Sequence, residues 1–133
     1  MMVRLRSPQM VLVFGNPDLP ADSLPIRILP QLRKIFPAVD FRVVDPNEEL
    51  EFPVQITVMD TVEGIKDVRL FNGLESFVSA PRNSVHDFDA LASLRMLQKL
   101  GKVRKVLVIG IPSGADEKKT LDQVSAILRA NRS

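Results

Sequence analysis

The sequence has no cysteine, no tryptophan and no tyrosine, and only one histidine among its 133 residues. Without cysteine there is no disulfide framework, no thiol nucleophile and no thiolate zinc site. Carboxylates and a single imidazole remain as the strong metal ligands. Long apolar runs are missing too, since none approaches the roughly 20 residues that span a bilayer. The opening "MMVRLRSPQMVLVFGNPD" lacks the apolar stretch and small-residue cleavage site of a secretory signal. These absences predict a cytoplasmic protein with no membrane association.

A large net charge is missing as well, with 18 lysines and arginines set against 16 acids. The formal net charge is only +2, although the pI is about 9.2. With so few groups titrating between the carboxylates and the lysines, a slight basic excess carries the pI upward. Lysine and arginine are scattered, and no aromatic residues alternate with them as stacking platforms. Nucleic acid is therefore not an expected partner.

What is present fits one compact domain over residues 1–133, with 45% hydrophobic and 26% charged side chains. Strand and helix patterns alternate along it. "MVLVFG" (10–15) and "KVLVIGI" (105–111) are short apolar runs of the kind found in buried strands, and "DFRVV" (40–44) and "VQITVMD" (54–60) also read as strands. "DSLPIRILPQLRKIF" carries Leu24, Ile28, Leu32 and Ile35 at helical spacing, with Pro30 predicting a kink or a late start. "DVRLF" and "ESFVS" around Asn72-Gly73 predict a hairpin or edge strand. "SVHDFDALASLRMLQKLG" is the most strongly patterned helix, and "DEKKTLDQVSAILRANR" predicts a last one with Leu121, Val124, Ile127 and Leu128 inward.

The expected fold is a three-layer α/β sandwich. Its sheet of about five strands is twisted and mostly parallel, with helices on both faces and one antiparallel edge strand. Ligands in such sheets gather beyond the carboxyl ends of the strands. The polar residues predicted at that rim are Asn16, Asp18 and Asp22 after the first strand, Asp60 ending the third, and His86. Ser84 and Asp87 make a capping-box pattern that puts His86 in a first helical turn at the same rim.

At these residues the chain resembles a known family. "VLVFGNPDLPADSLPIRI", "ITVMDTVEG" and "SVHDFDALASLRML", in that order, are similar to three blocks of the hydrogenase maturation endopeptidases. Those enzymes trim the C-terminal extension from the large subunit of nickel-iron hydrogenases. The first block matches in Gly15, Asn16, Asp22 and Arg27, the second in Asp60, and the third in Ser84 and His86. The family often has paired acids in the first turn, whereas Ala21 precedes Asp22 here.

The resemblance implies that Asp22, Asp60 and His86 bind nickel already held by the precursor, with Asp22 and Asp60 as the catalytic carboxylates. Zinc or cadmium can replace nickel on such an oxygen and nitrogen donor set. It implies the large-subunit precursor as partner and a monomer when free. Two alternatives stay open: a non-catalytic member of the fold that binds or chaperones a subunit, and a receiver-like phosphoacceptor with Asp60 as the acceptor. "VRLFNGLESF", with Phe71, Leu74 and Phe77 flanking an exposed turn, is the expected partner surface.

Overall fold

The computed structural model describes residues 9–15, 18–44, 55–62, 64–73 and 105–130. Its centre is a five-stranded sheet of β1 (Met10–Val13), β2 (Asp40–Val43), β3 (Gln55–Val62), β4 (Arg69–Asn72) and β5 (Lys105–Pro112), in the order β2-β1-β3-β5-β4. All neighbours run parallel except β4, which pairs antiparallel with β5 at the edge. This is the open, mostly parallel α/β sheet that the apolar runs predict.

Alternation along the strands divides the core in two. Val11, Val13, Met59, Ile109 and Ile111 face one side, together with the apolar residues of the helices. Leu12, Ile56, Val58, Val62, Val106 and Val108 form a second buried cluster on the other. Each central strand therefore reads as a continuous apolar run, because both of its faces are covered.

The described helices lie on the first face. They are α1 (Leu24–Arg27), α2 (Leu29–Ile35) and α3 (Glu117–Ala130). The helix expected from residue 84 onward lies outside the described residues, as does the second strand of the expected hairpin. Pro30 interrupts the helical run as expected. Lacking an amide hydrogen, it sits in the first turn of α2, and the break falls at Ile28, whose amide still bonds back to Leu24. In α3, Val124 and Leu128 are buried and Leu121 and Ile127 pack beside them. Asp116 starts that helix by accepting the Lys119 amide at 2.9 Å.

Two expectations need correction. The third strand does not stop at Asp60 but runs on to Val62, because β5 continues alongside it and pairs Val62 with Pro112. Phe71 is not part of an exposed apolar surface. It is buried, with its ring over Gly110, where the missing side chain leaves a slot that a Cβ would enter to within 2.7 Å of the ring. Leu74 and Phe77 lie outside the described residues. No helix among the described residues is long and apolar enough to cross a membrane.

Candidate functional site

The chain leaves β1 toward β2 on one side of the sheet, while β3 lies on the other side of β1. A crevice therefore opens between the carboxyl ends of β1 and β3, the place where open parallel sheets bind ligands. Asp22 follows the end of β1, and Asp60 and Thr61 are among the last residues of β3.

A short 3-10 turn, Pro20–Asp22, delivers Asp22 to this crevice. Several contacts fix it. The Asp22 amide donates to the Leu19 carbonyl at 2.9 Å, and the Ser23 hydroxyl donates to the Pro20 carbonyl at 3.1 Å. From the loop after β5, the Ser113 hydroxyl donates to the Ala21 carbonyl at 2.9 Å. Gly15 lets the turn close on the end of β1, since a Cβ there would stand 3.0 Å from both the Asp22 carbonyl oxygen and Ile26 Cγ1.

The Asp22 side chain is only 2% exposed, and neither carboxylate oxygen has a hydrogen-bond partner among the described residues. It does not cap a helix. The N-cap of α1 is Ser23, which makes no side-chain capping bond. Burial pushes the Asp22 pKa above its ordinary value, and the nearby Thr61 hydroxyl opposes this weakly by favouring the charged form. The two groups are close, but they stop short of hydrogen-bonding geometry, since the Thr61 hydroxyl also lacks a partner.

Asp60 is fully buried. Its Oδ1 accepts the Thr61 amide at 2.8 Å. The reason lies in the ladder: the register of β1 with β3 ends at Met59, and the next amide facing that way is that of Thr61. Asp60 thus satisfies a backbone group that the departing β1 no longer reaches. By strand alternation its side chain shares the face of Val58 and Val62, whereas Thr61 shares the face of Met59 and α1.

Of the residues singled out in the sequence, Asp22 and Asp60 are therefore buried at one end of the sheet, while Asp18 and Arg27 are exposed. His86, Ser84, Asp87 and Asn16 lie outside the described residues. Among the described residues no three metal-binding side chains come together. Sequence reasoning missed Thr61, because a threonine in a strand reads as ordinary β-propensity. The signal available was its place between Asp60 and the strand's end.

The architecture has known counterparts. The fold matches the hydrogenase maturating endopeptidase HybD from E. coli with a TM-score of 0.60, covering 92% of this chain and 93% of that one at 15% identity. The chain has the hydrogenase maturation endopeptidase fold. It also matches an uncharacterized protein from Wolinella succinogenes, with a TM-score of 0.55, 18% identity and coverage of 92% and 94%. No protein-family model matches the sequence, and no curated protein matches it in sequence. At these identities the likeness to the endopeptidase fold is one of architecture. What the crevice of this fold does in this chain is argued from its own residues.

Proposed function

We propose that the chain is an endopeptidase that removes the C-terminal extension of a nickel-loaded large-subunit precursor of a nickel-iron hydrogenase. The observation that carries this reading is the Asp22 carboxylate, buried at the sheet's switch point with neither oxygen hydrogen-bonded among the described residues. An unsatisfied buried polar group costs about 1–3 kcal/mol, so its presence calls for an explanation. A cation supplied by the substrate is such an explanation. The HybD-like fold and the three sequence blocks support the same conclusion.

In this reading Asp22, Asp60 and His86 hold the nickel that the precursor brings, with Asp22 and Asp60 beside the bond to be cut. The donor set of carboxylates and one imidazole fits nickel, and cadmium or zinc can stand in for it. Bound there, the metal supplies Lewis-acid polarisation of the scissile carbonyl or activation of a water. The chain's own contribution is positional and electrostatic. The Gly15 and Ser113 contacts hold the Asp22 turn in place, and burial strengthens the attraction between carboxylate and cation by excluding water. Three donors leave coordination positions for the precursor's own ligands, which explains how nickel arrives and departs with the substrate.

Co-expression with the hydrogenase large subunit of the same genome tests the proposal. Intact mass should show loss of one C-terminal peptide with the wild-type chain and a full-length precursor with Asp22→Ala. Equal processing by Asp22→Ala would contradict it.

A further inference from the structure

The turn that carries Asp22 is shaped from within and placed from outside. Its own bonds, the Asp22 amide on the Leu19 carbonyl at 2.9 Å and the Ser23 hydroxyl on the Pro20 carbonyl at 3.1 Å, fix its form. Neither ties it to the sheet. A bond that does comes from 92 residues along the chain, where the Ser113 hydroxyl donates to the Ala21 carbonyl at 2.9 Å. That carbonyl and the Asp22 amide belong to one peptide unit, which is planar. One end of the plane is therefore held inside the turn and the other by the loop after β5, immediately before the Asp22 Cα.

Ser113 is itself anchored on both sides. β5 pairs with β3 through Pro112, and the Ser113 amide donates to the Val62 carbonyl at 3.4 Å. Just beyond, Gly114 takes a φ of +70°, a left-handed conformation that suits glycine and turns the chain toward α3. A Cβ there would meet nothing within 4 Å, so this glycine serves the backbone and not the space around it. Two residues later Asp116 caps α3, whose Val124 and Leu128 lie in the core. The hydroxyl thus sits on a short loop fixed at each end to buried structure, while Ser113 itself is half-buried.

We propose that Ser113 is a positioning residue for Asp22: by clamping the Ala21–Asp22 peptide plane to the end of β5, it aims the Asp22 carboxylate into the crevice. This rests on the reading of Asp22 as a ligand of the substrate's nickel. Ser113 acts through the Ala21 carbonyl and is not a ligand. Holding a metal needs its donors placed to within about 0.5 Å, and a turn fixed only by its internal bonds can shift as a unit by more than that.

Cadmium alone is the probe, titrated into the purified full chain and into Ser113→Ala, Ser113→Thr and Asp22→Ala at a temperature where all are folded. Ser113→Ala should weaken cadmium binding by about fivefold, the worth of one neutral hydrogen bond. Ser113→Thr, which keeps the hydroxyl, should bind within about twofold of wild type. Metal-free Ser113→Ala should melt within a few degrees of wild type, because its bond lies at the surface. Equal cadmium affinity for Ser113→Ala and wild type, with Asp22→Ala impaired, would overturn this inference and leave the reading of Asp22 standing. Equal weakening by Ser113→Ala and Ser113→Thr would show that the hydroxyl is not what matters and overturn it too. An Asp22→Ala protein that binds cadmium like wild type would overturn both.

Discussion

Asp22 is where sequence, burial and chemistry meet most sharply. Burial holds its folded-state pKa above the ordinary 3.8. The folded protein therefore keeps the proton at pH values where the unfolded chain has released it. The stability contributed by the protonated carboxyl is complete below the unfolded value and is lost as pH rises through the folded one. Asp22→Asn, whose amide never ionises, should be more stable than wild type at neutral pH. The gain should be about 1 kcal/mol or more, the cost of leaving a buried polar group without a partner among the described residues. Chemical denaturation across pH should show this advantage disappearing toward pH 3.8. The single histidine gives a second test at this scale. If His86 completes the site, its imidazole signals should move when cadmium saturates the protein. Affinity should fall by up to about tenfold per pH unit once the ring protonates. Imidazole signals unchanged at saturating cadmium would remove His86 from the site.

At the scale of elements, the turn that carries Asp22 is held by what one position lacks. Gly15→Ala would drive a Cβ against the Asp22 carbonyl and Ile26. The carbonyl cannot retreat easily, since the neighbouring Ala21 carbonyl is tied to Ser113. The substitution should cost about 1 kcal/mol or more as overpacking, and it should weaken cadmium binding by displacing Asp22. A thermal melt paired with a cadmium titration checks both. The central strands were legible in the sequence because double burial writes them as apolar runs, and Pro30 marked the helix break in advance. Periodicity could not show where β3 ends, because pairing with β5 through Val62 decides it. Nor could it show that Phe71 is buried, since that depends on its ring lying over Gly110, in a strand far along the chain. The candidate carboxylates were legible by type, Asp22 by its place after β1 and Asp60 by its place near the carboxyl end of β3. The burial of Asp22 was not, because it is produced by a turn folding back onto the sheet.

For the whole molecule, the sheet order sets where chemistry can occur. Placing β1 between β2 and β3 opens one crevice at the carboxyl end, and the two buried aspartates lie at that end. The apolar clusters on both faces hold the strands in register, so the rim can carry an unpaired carboxylate without the sheet yielding. Under the proposed function the site would read a metal and not a peptide sequence, and casein-like substrates should stay intact. The most direct measurement is the intact mass of a purified hydrogenase large-subunit precursor after incubation with the chain, in nickel-loaded and nickel-free forms side by side. The account predicts loss of a single C-terminal peptide from the nickel-loaded form alone. An unchanged mass in both, or equal cleavage of the nickel-free form, would contradict it.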